Sequence, residues 1–331
     1  MTHLNFQNKD QTLALMNQWS GECKPFLFMI SYDQEKNLIL PLDSIDPEII
    51  AYDFEGVTNC PSLINKQTKS YTFSKFPVSF SEFSKSFDIV KSGLLRGDSF
   101  LCNLTFETPV ETDLSLKNIF DSSKARFKLY LADQFVVFSP EIFVQIDEQR
   151  VIHSFPMKGT ISASITDARK VISEDEKESA EHATIVDLIR NDLSRVAFPV
   201  WVNRYRYMEQ LDTSNGPILQ VSSEVCGQLD ERAMTQLGSV LFSMLPAGSI
   251  TGAPKKSTCR IILESETHHR NYYTGICGIF DGKTLSSGVM IRYIEQREGQ
   301  LFFKSGGGIT TRSDAESEYK ELIQKVYVPI C

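Results

Sequence analysis

Residues 127–160 read FKLYLADQFVVFSPEIFVQIDEQRVIHSFPMKGT, and this stretch sets the expectation for the fold. It contains three apolar, β-rich runs, Phe127–Phe138, Ile142–Ile146 and Val151–Phe155, with polar or turn-forming residues between them. Such runs are typical of β-strands. Because no helical pattern separates them, they favour strands that follow one another in antiparallel order.

The stretch ends with Lys158 between a proline and a glycine. Pro156 fixes its own φ and holds the preceding residue extended, and Gly159 allows a tight turn. We therefore expect Lys158 to lie on a sharp, rigid turn after a strand. A lone lysine in such a turn is usually a solvated surface residue, so other parts of the chain must decide whether it has a chemical role.

On both sides of this stretch the chain continues in runs of strands and runs of helices. Further strands are predicted at Phe26–Ile30, Leu38–Leu40, Phe100–Thr105, Tyr272–Phe280, Ser287–Gln296 and Gln300–Lys304, and residues 1–75 are expected to be strands and loops. Helical spacing predicts helices at Ser79–Leu95, Ser173–Leu193, Glu231–Leu245, Lys255–Glu266 and Ala315–Val326. Without a regular βαβ alternation, this order predicts an α+β fold with antiparallel sheets.

The composition is that of an ordinary globular protein, with 331 residues, 41% hydrophobic and 23% charged. A net charge of −8 argues against nucleic-acid binding, which needs a basic surface. Seven scattered cysteines, none spaced C-x-x-C, suggest neither a disulfide framework nor a zinc site. There is no apolar run long enough for a membrane span and no signal-peptide pattern, so we expect a cytoplasmic protein that does not bind membranes.

Two carboxylate pairs share one spacing. Glu178 with Glu181 and Glu318 with Glu321 are both E-x-x-E on predicted helices, so each pair lies on one helix face. Two such patches that face each other would suit Mg²⁺ and leave positions open for substrate and water. For either pair alone, a solvated helix face is the more common explanation.

Other polar segments are ambiguous when taken alone. The run from Asp187 to Arg195 lies within an apolar helical pattern, which favours an internal polar network over direct catalysis. The turn Gly248–Lys255 and the glycines 306–308 could bring backbone N–H groups to an anion, but neither matches a nucleotide-binding motif. Arg292 is interpreted equally well as a carboxylate fork or as a structural ion pair.

Taken together, the motifs resemble the chorismate-utilising enzymes, from about Phe80 to the end of the chain. The set, in order, is Gly97-Asp98 with Asn103-Leu104-Thr105, Ser139-Pro140-Glu141, Pro156-Met157-Lys158-Gly159-Thr160, Glu181-His182 with Asp187–Asp192, Gly248–Lys255, Gly306-Gly307-Gly308 and Glu318-Tyr319-Lys320-Glu321. The resemblance implies antiparallel sheets that form a sandwich core flanked by helices. It also implies a chorismate-binding catalytic domain at 76–331, with 1–75 as a short β-rich region packed on the same unit.

The resemblance also assigns roles to residues. A lysine at position 158, where anthranilate and isochorismate synthases usually have alanine, is similar to aminodeoxychorismate synthase component I. Lys158 would attack C2 of chorismate as a neutral amine, a state that partial burial favours. Glu141 would act as general acid. The remaining assignments are Mg²⁺ ligands at Glu181 and Glu321 with Glu178 and Glu318 beside them, and substrate contacts at Gly159, Thr160, Ser249, Thr251, Tyr273, Arg292, Gly306, Gly307 and Gly308.

Two positions depart from the family pattern. Leu101 stands where aminating members usually have glutamine and isochorismate synthases a water-activating lysine, and Gln220 stands where many members have histidine. The short N-terminal part also makes an intact tryptophan feedback site unexpected. The chain has no glutamine-hydrolysing motif, so ammonia would come from solution or from a separate glutamine amidotransferase subunit. Anthranilate synthase component I, an isochorismate-type enzyme and a non-catalytic homologue remain as alternatives.

Overall fold

The computed structural model describes residues 4–60, 71–213 and 216–330. Cys331 and parts of the predicted region 1–75 lie outside the described residues. The elements, in chain order, are α1 (Lys9–Gly21), β1 (Phe26–Ile30), β2 (Asn37–Pro41), β3 (Ile50–Phe54), β4 (Val57–Thr58), β5 (Phe73–Lys75), α2 (Phe80–Leu95), β6 (Leu101–Thr112), α3 (Leu116–Ser122), β7 (Phe127–Leu131), β8 (Phe135–Ser139), β9 (Ile142–Ile146), β10 (Val151–Ser154), β11 (Met157–Ser162), α4 (Ala168–Glu174), α5 (Glu176–Leu193), β12 (Val200–Thr213), β13 (Gly216–Gln228), α6 (Leu237–Met244), β14 (Gly252–Ala253), α7 (Lys255–Ser265), β15 (Ile276–Phe280), β16 (Leu285–Val289), β17 (Tyr293–Arg297), β18 (Gln300–Ile309) and α8 (Ala315–Gln324).

The described strands form two antiparallel sheets. The first has the order β11-β13-β10-β9-β16-β15-β1-β2, with β12 beside β13. The second has the order β14-β6-β18-β17-β8-β7-β3-β4, with β5 beside β6. The prediction of an α+β fold with antiparallel sheets is confirmed.

Apolar side chains hold these layers together. A cluster that includes Met29 of β1 and Leu129 of β7 fills the space between the two sheets. A second cluster, with Met16 and Leu241, packs α1, α5 and α6 on the outer face of the first sheet. Two more clusters pack α3 and the group α2, α7 and α8 on the second sheet. The result is the predicted sandwich, with helices on both outer faces.

The N-terminal region is less β-rich than the sequence suggested. Residues 9–21 form α1, which begins with a capping box between Asn8 and Gln11. The strands of the N-terminal region belong to both sheets: β1 and β2 lie in the first sheet, and β3 to β5 lie in the second. A domain division at residue 75 stays a prediction. No helix among the described residues is long and apolar enough to cross a membrane.

The expected sharp turn at Lys158 is wrong. Lys158 lies on β11, which pairs with β13 through an irregular register between Met157 and Thr160. Gly159 within this bulge has φ +90°, a left-handed conformation that glycine adopts without strain. The bulge interrupts the regular pairing of β11 at the position of Lys158.

Two further expectations about the C-terminal strands need correction. The strand predicted at Gln300–Lys304 is longer than expected, because β18 continues through the glycines 306–308 and pairs with β6. A Cβ on Gly306 would lie 2.6 Å from the Leu104 carbonyl oxygen, so the close strand approach requires glycine there. The predicted strand Ser287–Gln296 is two strands in different sheets, β16 and β17, and the chain crosses between them at Arg292, where φ is +52°.

Helix boundaries also differ in the middle of the chain. The predicted helix Ser173–Leu193 is divided into α4 and α5 at Asp175, whose side chain caps α5. The predicted helix Glu231–Leu245 is shorter, because α6 begins only at Leu237. The long hairpin β12–β13 had no counterpart in the sequence prediction, although β13 pairs both with β10 and with β11, the strand that carries Lys158.

Candidate active site

Two neighbouring cavities lie where β11, α5 and the ends of β6 and β18 meet. The larger has a volume of about 540 Å³ and is lined by Lys158, Glu181 and Leu101 among others. The smaller has a volume of about 180 Å³ and is lined by Tyr273, Arg292 and the glycines 306–308. Glu141, Ser249 and Gly308 line both cavities, so one ligand could span them.

Lys158 is paired in the larger cavity. Its Nζ donates to Glu181 Oε2 across 2.7 Å, and its side chain is 34% exposed. Burial lowers the pKa of Lys158, but the hydrogen bond and charge of Glu181, with the charges of Glu178 and Glu321, outweigh burial and raise the pKa above its usual value. The surroundings of Lys158 in this structure therefore favour the ammonium form, whereas burial alone would favour the neutral amine.

The four predicted metal ligands come from two helices, and all four interact electrostatically with Lys158. Glu178 and Glu181 lie on α5, and Glu318 and Glu321 lie on α8. Burial, and then the charge of Glu321, raise the pKa of Glu318, while a hydrogen bond from Ser313 and the charge of Lys158 oppose them. The two pairs thus share one electrostatic environment with the lysine.

These oxygen donors fit Mg²⁺ in chemical type and in their surplus of negative charge. They do not form a ready-made coordination cluster. Among the described residues, the group that brings three potential ligand atoms of His, Cys, Asp or Glu within 4.8 Å of one another is a different one, His153, Glu224 and Cys226. The assignment of Glu178, Glu181, Glu318 and Glu321 as metal ligands stays a prediction.

Glu141, which lines the larger cavity, lies in the short turn between β8 and β9. The Ser249 hydroxyl donates to its Oε1 across 2.6 Å. Burial raises the pKa of Glu141, and the Ser249 hydrogen bond and the charge of Lys325 oppose this rise without cancelling it. A raised pKa is what a carboxylic acid needs in order to deliver a proton near neutral pH.

The smaller cavity presents groups suited to a carboxylate. Arg292 lines it and donates from one Nη to the Lys325 carbonyl oxygen across 2.6 Å. Tyr273 is buried beside it, and burial raises the pKa of its hydroxyl, so the phenol stays protonated and able to donate. The β18 glycines bring backbone to the cavity wall without side chains between.

Four other residues singled out from the sequence are placed as follows. Thr251 is fully buried, with 0% exposure, and its contact with substrate stays a prediction. Thr160 on β11 is exposed. Gly159 lies close to Glu178, since a Cβ added to this glycine would lie 3.2 Å from Glu178 Oε2. Gln220 donates to the Met157 sulfur across 2.9 Å, next to Lys158.

The polar run on α5 forms an internal network only at its end. Asp187 and Arg190 pair with each other at the surface, contrary to expectation. Asp192 is buried and accepts from Lys255 across 2.6 Å, as the network interpretation predicts. The sequence analysis considered Lys255 as part of an anion-binding turn, but in the structure its ammonium group pairs with Asp192.

Two side chains that contact the predicted site residues were given no role in the sequence analysis. Lys325 Nζ donates to the Gly306 carbonyl oxygen across 2.9 Å and pairs with Glu321 across 2.7 Å. Its position four residues after Glu321 on a helix was the available signal. His182 is buried against Ser223, with 2.7 Å between Nε2 and Oγ, and burial lowers its pKa although a hydrogen bond with the Lys158 backbone opposes this. It connects α5 to β11.

The fold and the two cavities define a class of protein. Two antiparallel sheets form a sandwich, and a cavity lined by glutamates lies beside a cavity suited to bind a carboxylate. The chain belongs to the chorismate binding enzyme family, whose model matches residues 29–330.

Three relatives illustrate the range of that similarity. An "Uncharacterized PabA-like protein" of Haemophilus influenzae is 47% identical over 95% of each chain. Aminodeoxychorismate synthase component 1 of Bacillus subtilis is 30% identical over 86% of this chain, which spans 63% of that relative's length. The solved menaquinone-specific isochorismate synthase of Escherichia coli has the same fold, with a TM-score of 0.72, 14% identity and coverage of 97% of this chain and 82% of that one.

Proposed function

We propose that this protein converts chorismate and ammonia into 4-amino-4-deoxychorismate, the reaction of aminodeoxychorismate synthase component I in folate synthesis. The observation that carries the proposal is Lys158 on the wall of the larger cavity, with Glu141 lining the same cavity. A nucleophilic lysine explains amination at C4, because two successive displacements return the substituent to the carbon that lost it. The B. subtilis relative supports this choice within the family.

In the first displacement the neutral amine of Lys158 forms a bond to ring carbon C2. The ring double bonds shift, the C4–O bond breaks, and the hydroxyl leaves as water with the proton of Glu141. The lysine nitrogen keeps both hydrogens and is positively charged. Because Lys158 begins as an ammonium paired with Glu181, it must lose one proton before this step.

In the second displacement ammonia forms a bond to C4 and the double bonds shift back. The bond between C2 and the lysine nitrogen breaks, and Lys158 leaves as a neutral amine. The new C4 ammonium returns its proton to Glu141, which restores the acid. Leu101 on the same cavity wall offers no group that could activate water as a competing nucleophile.

Glu181 and Glu321 would hold Mg²⁺, with Glu178 and Glu318 beside them. The bound ion would polarise the ring carboxylate of chorismate and neutralise carboxylate charge around it. Tyr273, Arg292 and the β18 glycines would orient the enolpyruvyl carboxylate in the smaller cavity. We propose a separate glutamine amidotransferase subunit as the source of ammonia.

The test is product analysis with chorismate, ammonium and Mg²⁺, with and without a glutaminase subunit, for wild type and Lys158→Ala. We expect 4-amino-4-deoxychorismate from wild type, a loss of roughly 100-fold or more in the variant, and a wild-type covalent adduct in intact-mass spectra. Lys170→Ala, which changes an exposed lysine on α4, is the matched control. Fluorescent anthranilate, isochorismate or no product from wild type would contradict the proposal.

A further inference from the structure

A cluster of metal-binding side chains lies on the first sheet, outside the two cavities. His153 on β10 faces Cys226 on β13 as a direct cross-strand pair, and Glu224 lies two residues before Cys226 on the same strand. Ser154, the neighbour of His153, lines the larger cavity. His153, Glu224 and Cys226 are not among the residues that line it.

Two of the three distances within this cluster match the edges of a tetrahedral coordination sphere, and the third is slightly longer. His153 Nδ1 lies 3.3 Å from Glu224 Oε1 and 3.4 Å from Cys226 Sγ, and the Sγ–Oε1 distance is 3.9 Å. Zinc bonds of about 2.0–2.3 Å at a tetrahedral angle place the ligand atoms roughly 3.3–3.7 Å apart. Among the described residues this is the group whose three donor atoms approach most closely for one ion.

Two of the three ligands, His153 and Glu224, are also hydrogen-bonded through the atom that does not face the cluster. His153 Nε2 lies 3.2 Å from Asp147 Oδ2, which leaves Nδ1 for a metal. The second oxygen of Glu224 accepts from Arg204 and from Asn203, each across 2.9 Å, which leaves Oε1 for the same metal. Such partners on the far side of the ligating imidazole and carboxylate are the usual support of a metal site.

We propose that His153, Cys226 and Glu224 form a binding site for a Zn²⁺-class transition-metal ion, with Asp147 as the residue that orients His153. One nitrogen, one sulfur and one oxygen donor suit zinc, and water would take the fourth position. On binding, the Cys226 thiol releases its proton to solvent and its sulfur bonds to the metal. The partly exposed side chains of His153 and Asp147 provide the route of entry.

Cys226 is 1% exposed, so a nucleophilic thiol with His153 and Asp147 as a catalytic triad does not fit the site. His153 also stacks on Phe155, with 6.3 Å between ring centroids, and Phe155 lines the larger cavity. A metal that ties β10 to β13 would therefore stabilise the segment that leads into Lys158.

The test is titration of the chelator-treated full chain with Co²⁺ as a spectroscopic probe. We expect one thiolate-bound ion per chain, seen as a thiolate-to-cobalt charge-transfer band, which ligation by the glutamates of α5 and α8 could not produce. Cys226→Ser should abolish the band, whereas Cys23→Ser, at an exposed cysteine, should retain it. Excess Zn²⁺ should displace the cobalt and raise the Tm.

Asp147→Asn changes a partly exposed carboxylate and should fold even if Cys226→Ser does not. It should weaken Co²⁺ binding about 10–100-fold while keeping the thiolate band. Absence of the band in wild type, or an unchanged band in Cys226→Ser, would overturn the proposal. Glu181→Gln should leave the band intact, so this result is independent of the Mg²⁺ assignment and of the proposed reaction.

Discussion

The Ser249 hydroxyl and the Glu141 carboxylate are joined by a hydrogen bond of 2.6 Å across 108 residues of sequence. Ser249 was predicted to contact substrate, but in the structure it contacts the proposed acid. Asp192 on α5 helps to hold this turn in place through a hydrogen bond with the Gly248 backbone. The turn that carries Ser249 is thereby connected to α5.

This contact predicts a shift in the pH profile. Glu141 must be protonated to act as an acid, so activity should be present below its pKa and fall as pH rises through it. The Ser249 hydrogen bond favours the charged carboxylate and lowers that pKa. In Ser249→Ala the alkaline limb of kcat should therefore move to higher pH, which a pH–rate profile measures. Ser243→Ala, at a hydroxyl on α6, is the control; a shift to lower pH or no shift in Ser249→Ala would contradict the assignment.

A second prediction concerns Mg²⁺ and the two faces of α8. Glu321→Gln should raise the Mg²⁺ concentration needed for half-maximal activity roughly 10-fold or more, since a ligand is lost. Glu316→Gln, on the same helix but with its side chain 73% exposed, should leave it unchanged. Activity measured across a Mg²⁺ titration checks both variants. Equal Mg²⁺ dependence in the two would show that Glu321 is not a ligand.

The fold was predictable where the signal was local. Helix α2 has a capping box at Ser79 and a regular apolar face, and both features are visible in the sequence. Helix α1 was missed because its buried residues include Thr12 and Ser20, so its stability depends on packing against α6 rather than on an apolar stripe. The glycines 306–308 were misjudged because pairing with a distant strand outweighs their low β-propensity.

The site shows the same limit. The spacing of the glutamate pairs predicted that each lies on one helix face, but not how far one pair lies from the other. The charge state of Lys158 depends on Glu181 and Glu321, which approach it through space from α5 and α8. The cluster around Cys226 was invisible for the same reason, because its members are brought together by strand register and not by a sequence motif.

A third prediction concerns the carboxylate pocket. Arg292→Lys keeps the charge but loses the planar fork, so we expect KM for chorismate to rise about 10–100-fold with a smaller change in kcat, the equivalent of one charge-assisted hydrogen bond of about 1.5–3 kcal/mol. Steady-state kinetics, which give KM and kcat separately, measure the two effects. Arg297→Lys, on the neighbouring strand β17 and paired with Glu107, should change neither constant. A loss confined to kcat in Arg292→Lys would argue against ground-state carboxylate binding.

The last prediction separates backbone strain from site geometry at Gly159. Gly159 and Gly299 both have left-handed φ angles, of +90° and +82°. Either one changed to alanine should lower the free energy of unfolding by about 1–2 kcal/mol, which denaturant titration measures. An added Cβ meets nothing within 4 Å at Gly299, but at Gly159 it would lie 3.2 Å from Glu178 Oε2. Gly159→Ala should therefore also weaken Mg²⁺-dependent activity, while Gly299→Ala should not. If the two variants lose the same stability and keep the same activity, the position of the Glu178 carboxylate beside Gly159 is not required for Mg²⁺-dependent activity.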